Sequence, residues 1–219
     1  MSFLPDHLPD VIPVFPLSGA LLLPGSQLPL HIFEPRYRTM VTDAMKGERL
    51  IGMIQPKEAG ADEDHSHEPP VYKIGCVGKM TAFQEMEDGR FVITLTGVRR
   101  FRVEEELKER TTPYRLMRVS YAGFENDLVA QSVDTVDRDT LMSKIRAYVD
   151  VQGYSVKWEA IEATDSETLI DLTATLAPFE PSEKQALLEA ETLNQRASIV
   201  LTLLDMAVAD SKGPSGSLQ

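Results

Sequence analysis

Residues 11–37 read VIPVFPLSGALLLPGSQLPLHIFEPRY. The stretch carries no charge until Glu34 and is broken every few residues by proline. Proline lacks a backbone N–H and fixes φ, so this segment is expected to be neither a helix nor the interior of a wide sheet. Short extended pieces remain: Val11–Phe15, Ala20–Leu23 and Leu28–Phe33, the last two separated by the turn Pro24-Gly25-Ser26. Pro35 suits the first turn of a helix that buries Tyr37, Met40, Val41 and Ala44 and stops at Gly47. Charges and prolines interrupt the first residues too often for a signal peptide, and no apolar run approaches the ~20 residues of a membrane span.

Outward from that stretch the β pattern continues. Arg49–Gln55 and Val71–Phe83 read as strands, with Gly75 and Gly78 as bulges or bends. Glu87-Asp88-Gly89 is a hairpin signal. Phe91–Thr96 alternates, Gly97 bends the chain into Val98–Leu107, and Tyr114–Tyr121 follows Pro113. Short strands with one early helix predict a closed or half-closed barrel, which removes open edges. After Gly123 the period becomes helical: one helix over Leu128–Val151 with Leu141, Ile145, Tyr148 and Val149 inward, a second over Asp165–Ala177, a third from Pro181 to Glu191, and a fourth over Asn194–Ala209. The fourth is read with Ile199, Leu203 and Met206 on its buried stripe. The expected organisation is an extension 1–10, a β-barrel domain 11–122, a helical subdomain 123–210 and a disordered tail 211–219.

The chain has 219 residues and a net charge of −12, and its 42% hydrophobic content is that of a globular protein. Most of the acidic excess lies after Gly123, which would repel nucleic acid and anionic membrane. The single cysteine, Cys76, excludes an intrachain disulfide and reads as a buried core thiol. A reducing, cytoplasmic compartment fits.

Most chemical motifs fail on spacing. Gly75-Cys-Val-Gly78-Lys79-Met80 has two residues between its glycines and no hydroxyl after the lysine, so it is not a phosphate loop. His65 and His67 with Asp62, Asp64 and Glu68 have ligand atoms but sit in a charged loop with no fixed geometry. There is no G-x-S-x-G nucleophile elbow; His7 lies in a proline-rich start, and His31, inside an apolar strand, reads as a structural residue. Arg99-Arg100-Phe101-Arg102 could contact RNA phosphates and stack a base; the plainer reading is a solvated strand face balanced by Glu104–Glu106. Glu34-Pro35-Arg36-Tyr37-Arg38 is either a helix cap or the rim of a groove. No cofactor or metal is expected.

In order and spacing, IPVFPLSGALLLPGSQLPLHIFEPRYRTMV, LIGMIQP, YKIGCVGKM, DGRFVITLTGVRRFRV, PYRLMRVSY and LIDLTATLAPFEPSEKQALLEAETLNQRASIVLTLL resemble the amino-terminal domain of the Lon proteases, over about residues 10–208. The resemblance implies an α+β fold: a PUA-like β-barrel of about six to eight strands followed by an α-helical bundle. It also implies binding of unfolded or exposed polypeptide. Lon proteases continue into an ATPase module and a serine–lysine peptidase, neither of which is read in these residues. The expectation is therefore a free-standing, non-enzymatic domain of a kind found in bacteria, acting in protein quality control as an adaptor or chaperone-like factor with an unidentified protein partner. Leu22, Leu23, Leu30, Phe33, Glu34, Arg36 and Tyr37 are the candidate peptide-binding residues. The alternative is an RNA-binding PUA-like protein using Arg99, Arg100 and Arg102.

Overall fold

The computed structural model describes residues 8–57, 69–108, 111–129, 132, 133 and 135–211. His7, the 62–68 histidine and carboxylate cluster, and the tail beyond Ser211 lie outside them. In chain order the elements are β1 (Val11–Pro16), β2 (Gln27–Ile32), α1 (Pro35–Lys46), β3 (Leu50–Ile54), β4 (Ile74–Glu85), β5 (Phe91–Glu106), β6 (Arg115–Ser120), a 3-10 turn (Glu125–Leu128), α2 (Arg138–Gln152), α3 (Trp158–Ala163), α4 (Ser166–Leu176), α5 (Pro181–Glu189) and α6 (Leu193–Ser211). The chain divides into two compact units: Met1–Ala130 with Glu180–Leu188, and Gln131–Phe179 with Glu189–Gln219. Helix α5 therefore belongs with the strands although it lies in the helical half of the sequence.

In the first unit the six-stranded sheet runs β2-β5-β4-β3-β1-β6, and β6 returns to pair with β5. That last pairing closes β5, β4, β3, β1 and β6 into a ring. Long β5 makes this possible, because its two halves serve different neighbours on one edge. Its first half pairs with β2 from Phe91 to Thr96, and its second half pairs with β6 from Arg102 to Glu106. Only β1 and β3 run parallel. The alternation read in Phe91, Ile93 and Leu95 is the buried face of β5.

The interior is filled by Phe101, fully buried among Ile12, Val14, Val77 and Met117. Its ring lies over Gly52 and Gly75, where an added Cβ would meet it. Gly75 is thus a space-making residue; the register shift expected near these glycines falls at Val77/Gly78. Gly97 does not end a strand. β5 runs through it, and it lies under the Leu21-Leu22-Leu23 segment, where an added Cβ would overlap the Leu23 carbonyl oxygen.

Ala20–Leu23 is not a strand. All three leucines are buried, so the segment is covered without alternating faces. Ser26 closes it locally: its Oγ accepts from Leu23 N–H at 2.9 Å and donates to Leu23 O at 2.8 Å. Gly25, at φ +80, then donates to Gly97 O, and Gly97 N–H donates to Ser26 O. This is a bulge that needs glycine's left-handed conformation.

A buried ion pair holds the 3-10 turn against β5. The Arg100 guanidinium donates to both Asp127 carboxylate oxygens at 2.7–3.0 Å, and Arg100 N–H donates to Asp127 Oδ2 at 2.8 Å. Both side chains are nearly inaccessible, at 3% and 2%. Arg100 Nη1 also donates to Leu188 O of α5 at 3.0 Å. Alongside it, Gln185 Nε2 donates to Ile74 O at 3.1 Å and Lys184 Nζ to Gly19 O at 2.8 Å.

The helical half of the sequence departs from expectation in three places. The single helix expected over Leu128–Val151 is instead the 3-10 turn and α2, because Asp137 caps the later start by accepting from the N–H groups of Asp139 and Thr140. The additional short helix α3 precedes α4, which Asp165 caps by accepting from Thr168 N–H at 2.7 Å. In α6 the buried side is Leu193, Ala197, Val200, Leu203 and Leu204, while Met206 is exposed. Leu141, Ile145, Tyr148 and Val149 face inward as expected. Arg196 of α6, itself buried, donates to Asp171 Oδ1 of α4 at 3.0 Å. Burial pushes the Asp171 carboxyl above its ordinary value despite that arginine.

Three outcomes are expected in urea unfolding. Gly97→Ala lowers stability by about 1–3 kcal/mol through overpacking against the leucine segment. Asp127→Ala costs about 3–5 kcal/mol by leaving Arg100 buried and uncompensated, whereas Arg100→Met combined with Asp127→Leu costs less. For Asp171 the folded pKa exceeds the unfolded one, so its favourable term is full below the unfolded value of about 3.9. The wild-type advantage over Asp171→Asn, followed from pH 3 to pH 7, should therefore fall as pH rises through the folded pKa.

Candidate functional site

The end of β2 and the start of α1 form one corner of the first unit. Ile32 is buried, Phe33 turns outward with 64% of its surface exposed, and Pro35 opens α1 as its first residue. Glu34 occupies the cap position, but its side chain makes no cap hydrogen bond; it accepts from Arg36 Nε at 2.9 Å instead. The Arg36 guanidinium lies 4.5 Å from the centre of the Tyr37 ring. Tyr37 in turn packs against Phe15, centroid to centroid 4.1 Å, and is buried. Phe33, Glu34 and Arg36 are thus accessible, with Tyr37 as the floor that fixes them.

Leu22, Leu23 and Leu30 are core residues, exposed by 2%, 0% and 6%. They present no surface to a ligand. The leucine-rich segment spends its apolar side chains on covering the barrel.

Across the sheet the same end carries further apolar surface. Ile32 is the register partner of Phe91, and Phe91 that of Glu85. The Phe83 ring packs tilted against Phe91, centroids 5.1 Å apart, and remains 40% exposed, and Met86 in the hairpin is 37% exposed. Arg38 of α1 reaches this hairpin, its guanidinium 5.6 Å from the Phe91 ring centre and within packing distance of Gly89. In the sequence Arg38 stood out only as the last residue of the Glu34–Arg38 cluster, and Phe83 and Met86 did not stand out. The spacing of Phe83 and Phe91 about the Glu87-Asp88-Gly89 turn was the available signal, since a tight hairpin there sets both on one face.

Two of the three arginines considered for nucleic acid are engaged elsewhere. Arg100 is buried on Asp127. Arg99 Nε donates to Phe124 O at 3.1 Å, and its guanidinium lies 3.5 Å from Glu125. Arg102 is exposed, 6.0 Å from the centre of the Phe124 ring. The charges balancing Arg99 and Arg100 are therefore Glu125 and Asp127, not Glu104–Glu106. His31 is exposed, in contrast to the structural role read for it, because its side chain lies on the outer face of the edge strand β2. Cys76 is buried. Among the described residues no group of three or more metal-ligating side chains comes together, and no helix is long and apolar enough to cross a membrane.

A concavity in the helical unit has a volume of about 430 Å³ and is lined by Arg138, Asp139, Met142, Ser143, Arg146 and Glu162. Its charges are internally matched: Arg146 pairs with Glu162, and Arg138 donates to Glu162 O at 2.7 Å.

Comparison with known proteins gives this arrangement its relatives. The chain is 27% identical over 204 residues to Lon protease 2 of Myxococcus xanthus and 26% identical over 204 residues to Lon protease of Anaeromyxobacter dehalogenans. In both cases the match covers 91% of this chain and 24% of the relative, so the chain spans about a quarter of the length of these proteases. Among solved structures, a Lon N-terminal domain protein from Xanthomonas campestris superposes with a TM-score of 0.59 at 21% identity, covering 88% of this chain and 97% of that one. The N-terminal domain of Mycobacterium avium complex Lon protease superposes with a TM-score of 0.58 at 17% identity, covering 91% and 98%. These likenesses establish the fold. The family described as "ATP-dependent protease La (LON) substrate-binding domain" matches residues 11–206, and the chain belongs to that family.

Proposed function

We propose that these residues bind exposed or unfolded polypeptide without catalysing its cleavage, and that the contact surface is the corner built by Phe33, Glu34 and Arg36. The observation that carries the reading is Phe33: a large aromatic, 64% exposed, at a junction whose neighbours Tyr37, Leu30 and Ile32 are all buried. An aromatic anchor with a charged rim is the usual composition of a binding hot spot. Phe83 and Met86 extend the apolar surface at the same end of the sheet. Membership of a substrate-binding family agrees with this assignment.

Leu22, Leu23, Leu30 and Tyr37 are core residues and are not contacts in this reading. A role as an adaptor or chaperone-like factor in protein quality control, with a protein partner, follows if the bound polypeptide is passed on. Binding RNA through Arg99, Arg100 and Arg102 would require breaking the Arg100–Asp127 pair, so the polypeptide reading is favoured.

Fluorescence anisotropy with a labelled, reduced and carboxymethylated protein as the unfolded probe tests the proposal. Phe33→Ala should weaken binding about tenfold or more, as hot-spot truncation does, with unchanged thermal stability because the side chain is exposed. Tyr37→Ala is not a usable probe, since it empties a core position. Binding of the Phe33→Ala protein equal to wild type would remove the corner as the site.

A further inference from the structure

Strand β2 is at one end of the sheet order and, among the described residues, pairs only with β5. Pro29 stands opposite Thr94 in that pairing. A proline has no N–H to give, so Pro29 and Thr94 form a non-hydrogen-bonded pair. The ladder bonds to β5 consequently fall on Leu28, Leu30 and Ile32, in phase with the Gly97-to-Ser26 bond at the strand's start. The backbone groups of Gln27, Pro29 and His31 point the other way. All three residues are exposed, and none of their outward groups is bonded among the described residues. The edge thus offers N–H and C=O at Gln27, C=O alone at Pro29, and N–H and C=O at His31. It runs directly into Phe33.

We propose that this edge takes an extended segment of the polypeptide client as an added strand, ending at the Phe33 corner. The inference rests on the polypeptide-binding reading above and specifies its geometry. Strand addition gives sequence-tolerant affinity, because the bonds are to the main chain. The side-chain pattern adds a preference. Client residues flanking Leu28, Leu30 and Ile32 lie on the apolar face, and those flanking Gln27 and His31 on the wet one, so alternating apolar and polar segments fit best.

A second copy of this chain is the poorer occupant. Antiparallel self-pairing that overlaps the outward-facing residues Gln27, Pro29 and His31 sets Pro29 against Pro29, and that central pair has no N–H on either side. The same proline keeps the edge from pairing permanently. It removes one bond from any client, which favours capture that can be reversed.

The test uses a fluorescein-labelled nine-residue peptide of alternating valine and threonine with terminal lysines, and the same peptide N-methylated at alternate amides. Against the wild-type chain, N-methylation should weaken binding at least fivefold in one of the two phases and little in the other, since only one phase faces the edge. Pro29→Val should tighten binding about fivefold, the equivalent of one regained hydrogen bond of about 1 kcal/mol. His31→Pro should weaken it by a similar factor without disturbing the β5 ladder; circular dichroism checks the fold, and the methylated peptides need no variant. Equal loss in both methylation phases, or none, overturns strand addition. If Phe33→Ala still abolishes binding in that case, the polypeptide reading stands and only the edge is wrong. If neither change matters, both fail. Sedimentation showing a wild-type dimer that dissociates in His31→Pro would assign the edge to a second copy and also overturn the proposal.

Discussion

The ring of strands closes around one phenyl ring. Phe101 can occupy the centre only because Gly52 and Gly75 present no side chains to it. The leucine segment 21–23 can cross β5 only because Gly97 presents none either. Side chains at those positions would require the strands to move apart. A small barrel is short of interior volume, and here glycine distributes it. The hydrophobic free energy comes from Phe101 and its neighbours, while the shape comes from residues that contribute no contact area.

The exterior is organised by a different constraint. An arginine on the outer face of β5 sits under the polypeptide instead of in water. Its carboxylate partner arrives from the turn at 125–128 and its third acceptor from α5. Removing two charges from water is costly, and such a pair is weak evidence for net stability. It does fix which segments must dock at that point. The result is that a motif with the composition of a nucleic-acid patch serves as an internal fastening.

The alternating residues of β5, the Pro35 start of α1 and the hairpin at Glu87-Asp88-Gly89 were legible because each depends on local chemistry. The turn from Ala20 to Ser26 was not, since three buried leucines look the same in a strand and in a covered loop. The split between the 3-10 turn and α2 was hidden for a related reason. Asp127 and Asp137 read alike in sequence, yet one is consumed by Arg100 and the other caps a helix. At the candidate site the sequence singled out the Phe33–Tyr37 junction. It could not say which side chains face outward, because burial there depends on Phe15 and Phe91 arriving from elsewhere in the chain. His31 and Arg100 exchanged their expected exposures for the same reason.

Helix α5 belongs to the strand unit but is encoded after α2, α3 and α4. During vectorial synthesis the β-strands are all available once residue 120 has emerged, yet the acceptors and donors of residues 184–188 are still unmade. Until then the carbonyls of Ile74 and Gly19 lack the side-chain donors they have in the finished fold, and Arg100 lacks its bond to Leu188. The nascent barrel must persist incomplete through some sixty residues of intervening chain. A fragment ending at the apparent β-to-α boundary would carry the same deficit permanently, which makes that boundary a poor place to divide the gene even though it is where the sequence changes character.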